Sequence, residues 1–171
     1  MPSLSLTYGP DPIFSKTAEP VTIFDGDLRT LVEDMIETLY TEKAVGIGAN
    51  MVGVLQRIVV IDLQDGDERS PQVFLNPHIT DSSDDMQSHE EASICFPGIS
   101  AKITRPRRIS LSYQDGEGRV QSLTAVDYLA TVLQHEIDYL DGRIFLDHLS
   151  PVKRKMLLRK TRKYQKLNGL G

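Results

Sequence analysis

The sequence is poor in the features that mark secreted and membrane proteins. Cys95 is the single cysteine among 171 residues, which excludes an intramolecular disulfide and favours a reducing compartment. No apolar run approaches the roughly 20 residues that span a bilayer, and no basic segment followed by an apolar core marks a secretory signal near the N-terminus. With 40% hydrophobic and 25% charged residues, the sequence predicts one globular, cytoplasmic domain over residues 1–171.

Acidic residues are missing from the end of the chain. All 24 precede position 151, whereas residues 152–171 hold eight lysines and arginines. Since residues 1–151 hold the other 11 basic residues, they carry a formal charge of −13 and the tail carries +8. An acidic body argues against broad nucleic-acid binding, while a basic terminal helix can contact phosphate locally. The apolar residues of this predicted helix are expected to face inward, and they are Val152, Met156, Leu157, Tyr164 and Leu167.

Apolar spacing predicts two further helices and several strands. The helices are expected over residues 28–39, capped by Asp25 or Asp27, and over residues 124–141, where Thr124 begins a capping box. Strands are predicted at residues 57–62, 73–75, 103–113 and 120–123, with an acidic loop at 81–91. The order of a helix, several strands and two helices favours an α+β fold over a doubly wound sheet.

The second helix places a carboxylate within its apolar stripe. Glu136 lies between Val132 and Leu140 on the face that must be buried. Burial raises the pKa of a carboxyl and suits a general base or acid, whereas a buried structural glutamate would be paired with an arginine or the backbone. The helix alone leaves both interpretations open.

Residues 135–139 read H-E-I-D-Y, one residue short of H-E-x-x-H. In that motif two histidines one turn apart bind a metal ion and the glutamate handles a water proton. Tyr139 stands where the second histidine would be, and a phenol with a pKa near ~10 is a poor ligand at neutral pH.

Three segments in order resemble the motifs of the peptide deformylase family. Residues 134–150 (QHEIDYLDGRIFLDHLS) resemble QHEIDHLDG, residues 90–98 (EEASICFPG) resemble EEGCLSVPG, and residues 44–54 (AVGIGANMVGV) resemble GIGLAAPQVGV. The match covers nearly the whole chain, so the sequence is identified as a member of this family. The resemblance implies small sheets packed around a central helix that carries H-E-x-x-Y, followed by a basic C-terminal helix. It also implies the activity of this family, whose members are enzymes that remove the N-formyl group of nascent peptides. Their metal ion, ferrous iron or zinc, is held by one cysteine and two histidines.

Carried over residue by residue, the resemblance assigns a site with several replacements. The metal-ligand positions are Ser93, His135 and Tyr139, so one family ligand of three remains in kind. Glu136 is the catalytic glutamate, the Ile94 N–H is one oxyanion donor, and Met51 replaces the glutamine that is the other. The positions expected at the substrate cleft are Gly46, Gly48, Glu91, Pro97 and Gly98.

These replacements predict a deformylase-like protein without a metal and with lost or weak activity. A serine hydroxyl is neutral and cannot replace a thiolate, a catalytic metal of this type needs three protein ligands, and losing one oxyanion donor costs about 10²–10³ in rate. The alternative is an active metallohydrolase with an altered ligand set, in which Cys95, His89 or His148 would help to hold iron or zinc. Ser93 as a nucleophile activated by His135 would need a third residue to orient the imidazole, and the sequence shows none.

The expected partners follow from the same resemblance. Peptide N-termini would occupy the cleft, and the basic helix of residues 152–171 would contact the ribosome. No membrane partner is expected, and a purely structural subunit has nothing in the sequence to recommend it.

Overall fold

The computed structural model describes residues 3–171, and in that range three α-helices and seven β-strands follow the predicted order. The helices are α1 (Gly26–Thr41), α2 (Asp127–Leu140) and α3 (Pro151–Leu167). The strands are β1 (Gly46–Gly48), β2 (Ile58–Ile61), β3 (Gln72–Ser82), β4 (Met86–Ser93), β5 (Phe96–Pro106), β6 (Arg108–Gln114) and β7 (Val120–Val126). Short 3-10 helices cover Pro12–Ser15, Ala49–Val52 and Phe145–His148. None of the helices in residues 3–171 is long and apolar enough to cross a bilayer.

The strands form two antiparallel sheets. Five of them pair in the order β1-β2-β3-β6-β7, and β4 and β5 form a separate hairpin. In the large sheet Val59 faces Phe74, and in the hairpin Glu91 faces Ala101. Ser93 pairs with Phe96, so the hairpin turns at residues 94–95. The α+β class predicted from the order of elements is confirmed.

Helix α2 is central, as the family resemblance implied. It contacts strands of both sheets, and from Ala130 to Leu140 every residue except Asp138 is buried. A helix that is apolar on most sides and enclosed by two sheets belongs to the interior of a domain. The Glu136 side chain therefore lies at the junction of the two sheets.

Helix α1 begins as the sequence predicted, whereas the prediction for the start of α2 was wrong. The Asp25 carboxylate accepts a hydrogen bond from the Leu28 N–H at 3.0 Å and caps α1. Helix α2 begins at Asp127 without a capping box, because Thr124 still pairs with Ser110 of β6. Pairing of β7 along the sheet edge takes these residues out of the helix.

The acidic loop predicted at residues 81–91 is also wrong in its extent. Strand β3 continues to Ser82, and β4 resumes at Met86. The polar residues of β4 alternate between exposed and partly buried positions opposite β5. A hairpin solvated on one face tolerates polar side chains, so polarity alone did not distinguish this strand from a loop.

The inward face predicted for α3 is only partly correct. Leu157 is buried as expected, but Val152, Met156 and Leu167 are 82%, 57% and 76% exposed. The face that packs against β5 instead contains Thr161, whose hydroxyl donates to the Pro97 carbonyl at 2.7 Å. This face combines the apolar packing of Leu157 with the hydrogen bond of Thr161, so the apolar periodicity indicated only part of it.

Candidate active-site cleft

The three segments that carry the sequence motifs converge on one cleft of about 370 Å³. Residues 43–46 and Met51 form one wall, and residues 90–94 with Pro97 form the opposite wall. Helix α2 forms the floor with Tyr128, Thr131, Val132, His135 and Glu136. The convergence that the motif order predicted is confirmed.

Two glycines allow β1 to approach the carboxylate of α2. A Cβ at Gly46 would lie 3.0 Å from Glu136 Oε1 and 3.1 Å from a methyl group of Val132. A Cβ at Gly48 would lie 3.6 Å from Glu136 Oε2. Gly46 lines the cleft, whereas Gly48 lies behind it and Gly98 packs against Tyr164 of α3, outside the lining.

The Glu136 carboxyl is almost fully enclosed and has no hydrogen-bond partner for Oε2. Glu136 is only 3% exposed. Burial raises the pKa of Glu136 to about 7, the Glu91 carboxylate adds to that increase, and the charges of His135 and Arg105 oppose it. A carboxyl with this pKa exchanges a proton readily near neutral pH.

A buried hydrogen bond to Glu91 holds His135. Its Nδ1 lies 2.8 Å from Glu91 Oε1, and Glu91 also accepts from Arg105 at 2.7 and 2.9 Å. Burial opposes ionisation, but the hydrogen bonds from His135 and Arg105 hold the pKa of Glu91 below its ordinary value. Because an ionised carboxylate only accepts, Nδ1 of His135 donates and Nε2 is left for the cleft.

Tyr139 fills the position of the second family histidine with a buried phenol. The residue is 0% exposed, and its ring centroid lies 4.9 Å from that of His135. Its hydroxyl has no hydrogen-bond partner, and burial raises its pKa well above the ordinary value. Within residues 3–171 the Tyr139 hydroxyl and the Glu136 carboxyl are therefore not bonded to each other.

Ser93 and Ile94 lie at the tip of the hairpin. The Ser93 hydroxyl is half-buried in the cleft and accepts from the Cys95 N–H at 3.2 Å. Ile94 is the next residue and lies in the turn that connects Ser93 to its pairing partner Phe96. Met51 lines the opposite wall and offers no hydrogen-bond donor.

The candidate substitute ligands lie elsewhere. The Cys95 thiol is buried, and its sulfur lies 3.9 Å from the Met51 carbonyl oxygen. His148 contacts Asp138 at 3.0 Å, and His89 contacts Gln87 at 3.3 Å. Neither histidine lines the cleft.

The donor atoms present do not fit the iron or zinc of the family. Within residues 3–171 no group of three histidine, cysteine, aspartate or glutamate side chains is placed to hold a metal ion. At the three family positions only His135 is a strong donor, because Ser93 is a neutral hydroxyl and burial disfavours the phenolate of Tyr139.

The sequence did not single out Arg105, whose hydrogen bonds connect the β4–β5 hairpin to helix α2 beside the cleft. It donates to Glu91 and, at 2.8 Å, to Asp138 of α2. Ile99, Ala101 and Ile103 form a buried row with period two along β5, and Arg105 continues that row. An arginine in such a row is the sequence signal of a buried ion pair.

Comparison with known proteins gives one consistent result. The model of the family described as polypeptide deformylase matches residues 3–155. A protein named peptide deformylase-like from Rickettsia conorii is 49% identical over 167 residues, covering 98% of this chain and 91% of that protein. A peptide deformylase of Rhizobium meliloti is 40% identical over 161 residues, covering 94% and 92%.

Solved structures agree with the sequence comparison. The crystal structure of a peptide deformylase from Legionella pneumophila superposes with a TM-score of 0.92 at 36% identity and covers 98% of both chains. The peptide deformylase from Ehrlichia chaffeensis in complex with actinonin gives a TM-score of 0.89 at 36% identity, covering 96% of this chain and 99% of that one.

Proposed function

Because this chain belongs to the polypeptide deformylase family, we propose that it binds peptide N-termini in the family cleft without metal-dependent removal of the formyl group. One observation carries the proposal: the three ligand positions hold Ser93, His135 and Tyr139, and no group of three strong donors replaces them within residues 3–171. The chain is in this view a deformylase-like binding protein.

The loss of the metal would remove the nucleophile of the family reaction. A catalytic zinc ion lowers the pKa of its bound water from the much higher value of bulk water to about 7. Without the ion, the Glu136 carboxyl has no activated water to assist. Met51 provides no donor for the oxyanion, so only the Ile94 N–H remains of the two donors implied by the resemblance.

The cleft itself is suited to a short extended peptide. It lies between β1, an edge strand of the large sheet, and β4, whose one partner is β5. An extended peptide can add to such an edge through main-chain hydrogen bonds. The apolar side chains of Val132, Ile94 and Met51 would then receive the first side chain of the peptide.

The proposal is tested by measuring metal content, binding and hydrolysis on the same purified protein. We expect less than about one tenth of an equivalent of iron or zinc, calorimetric binding of formyl-Met-Ala-Ser, and no formate release above background. Lys43→Ala at the rim and Lys102→Ala on the exposed side of β5 form a matched pair, of which only the first should change affinity. Stoichiometric metal with chelator-sensitive formate release would establish the alternative, an active metallohydrolase with an altered ligand set.

Helix α3 would serve a second part of this function by binding ribosomal RNA. It carries all eight basic residues of the tail, and most of them are exposed. Phosphate binding of this kind weakens steeply with salt. A ribosomal partner also places the protein in the cytoplasm, where the thiol of Cys95 stays reduced.

The ribosome proposal has a matched pair of variants. Changing Lys155, Arg159 and Lys163 to glutamine should weaken co-sedimentation with ribosomes at low salt, because three exposed charges of α3 are removed. Changing Lys16, Arg29 and Lys102 to glutamine removes three exposed charges from the body and should have no such effect. Equal binding by both triple variants would refute the role of α3.

A further inference from the structure

The side chains that do not fit a metal ion have the composition of a serine hydrolase site. We propose that Ser93, His135 and Glu91 form a nucleophile, base and orienting carboxylate that hydrolyse small acyl esters without a metal. This activity goes beyond peptide binding and does not depend on it.

The third residue that the sequence did not show is Glu91. Its Oε1 lies 2.8 Å from His135 Nδ1, which fixes the proton on Nδ1 and leaves the Nε2 lone pair as the base. Arg105 binds both oxygens of Glu91, at 2.7 and 2.9 Å, so the carboxylate cannot turn away. A buried, charged and doubly anchored carboxylate is what a triad needs behind its histidine.

Ser93 is placed to be the nucleophile. It stands two residues after Glu91 on β4, and Ser93, Glu91 and His135 all line the same cleft. The cysteine close by, Cys95, is buried, whereas Ser93 is half-buried in the cleft and open to a ligand.

The Ser93 hydroxyl makes no hydrogen bond to His135 in the structure; it accepts one from the Cys95 N–H. Hydrogen bonds between nucleophile and base are often long in free enzymes and tighten when substrate binds. The proposal requires the Ser93 side chain to turn about its Cα–Cβ bond towards His135, which lines the same cleft.

An oxyanion site adjoins the nucleophile. The N–H of Ile94, the residue after Ser93, lies at the hairpin tip, and among residues 3–171 no hydrogen bond from it is found. In α/β-hydrolases the N–H of the residue after the nucleophile has the same role.

The reaction balances without a cofactor. Ser93 Oγ attacks the ester carbonyl carbon and its proton passes to His135 Nε2. The bond to the alcohol oxygen breaks, and the alcohol leaves with that proton. Water then attacks the acyl-serine, His135 takes its proton and returns it to Ser93 Oγ, and the carboxylic acid is released.

The cleft selects small acyl groups on good leaving groups. Its volume of about 370 Å³ and its apolar walls of Met51 and Val132 suit a formyl or acetyl group on an apolar alcohol. Esters are favoured over amides because an alkoxide leaves more easily than an amide nitrogen.

The test uses a fluorophosphonate reagent and p-nitrophenyl acetate on the full chain. We expect one covalent adduct per molecule by intact mass spectrometry, mapped to Ser93, and ester hydrolysis that EDTA does not change. Ser93→Ala should abolish the adduct and lower the rate by about 100-fold or more. Ser100→Ala, an exposed serine of β5, should behave like the wild type.

The orienting role of Glu91 is tested by the rate of labelling. Glu91→Gln and His135→Asn should label Ser93 much more slowly, whereas Glu68→Gln, which removes an exposed carboxylate outside the cleft, should not. Since Glu91 also pairs with Arg105, thermal unfolding is measured for each variant, and a folded Glu91→Gln that labels normally would overturn the triad. So would wild type that does not label, or an adduct that persists in Ser93→Ala. Formyl-Met-Ala-Ser binding, measured separately, decides the proposed function independently.

Discussion

Glu136 combines a charged group with an environment that disfavours its charge. In most buried glutamates an arginine or several N–H donors stabilise the carboxylate, but here neither oxygen has a recorded hydrogen bond and Oε2 is fully enclosed. Arg105 instead pairs with Glu91 and Asp138. The cost of desolvation is therefore only partly offset, and the pKa of Glu136 rises to about 7.

This pKa predicts how stability depends on pH. In the unfolded chain the Glu136 carboxyl has an ordinary pKa of 4.5, so it loses its proton before the folded state does as pH rises. The contribution of this group to the free energy of unfolding should fall by about 3 kcal/mol between pH 4.5 and 7 and stay constant above that. Glu136→Gln should therefore gain stability relative to the wild type as pH rises over that window.

Urea unfolding at pH 5 and pH 8 measures the difference. The matched control is Glu90→Gln, because Glu90 is exposed and its substitution removes the same charge. A stability difference for Glu136→Gln that is the same at both pH values would show that the carboxyl is ionised in the fold throughout.

At the scale of elements, Arg105 joins three parts of the cleft. It lies on β5, binds Glu91 of β4, and binds Asp138 of α2. His135 is held through Glu91, so the position of its ring depends on this arginine as well. The hairpin and the central helix are thus joined by charge as well as by apolar packing.

Arg105→Ala should destabilise the protein by about 3–5 kcal/mol, because it leaves the buried Glu91 carboxylate without its arginine and removes one partner of the partly buried Asp138. Arg119→Ala breaks ion pairs with Asp115 and Glu117 on the surface and should cost far less, because water solvates these exposed groups. Chemical denaturation compares the two. Similar losses for both variants would mean that the buried network contributes no more than a surface pair.

Helix α3 is linked to the end of the β4–β5 hairpin by a close backbone approach. Gly98 has a φ of +81°, and a Cβ there would lie 2.5 Å from the Tyr164 ring. Gly98→Ala should cost about 1–3 kcal/mol in the free energy of unfolding. Gly116→Ala, with nothing within 4 Å of the added Cβ, is the control. The double variant Gly98→Ala with Tyr164→Ala should not regain full stability, since the unfavourable φ remains.

At the scale of the whole molecule, the backbone of the family is kept while the motif positions of the site are changed. The TM-score of 0.92 to the Legionella pneumophila peptide deformylase, at 36% identity, shows that the backbone is preserved. Ser93, Tyr139 and Met51 stand where the motifs of the family resemblance have cysteine, histidine and glutamine. If the scaffold is intact, restoring those side chains should restore metal binding.

The triple change Ser93→Cys, Tyr139→His and Met51→Gln should bind zinc and release some formate from formyl-Met peptides. Ligand binding to the folded state raises the unfolding temperature, so added zinc should raise it for the triple variant and leave the wild type unchanged. A control with Met51→Gln alone lacks the new ligands and should not respond. An equal response of the wild type to zinc would show that its own donors hold the ion.

The sequence predicted much of the architecture because the signals are local. The helix starting after Asp25, the strand at β2 and the hairpin of β6 and β7 each follow from apolar spacing and turn residues within the element. The start of α2 and the extent of β4 depend on strands that lie elsewhere in the chain. Pairing with β6 and β5 decided those boundaries, against the local signal.

For the site, the sequence by itself determined the family, the central helix and the convergence of residues 44–54, 90–98 and 134–140. Those motifs are contiguous, and each carries its own spacing. Only the tertiary structure decided that Glu91 orients His135 and that Arg105 holds Glu91, because these residues are 44 and 14 positions apart and meet through strand pairing and helix packing. It also decided that Glu136 lies without a hydrogen-bond partner, since burial and missing neighbours are properties of the folded chain.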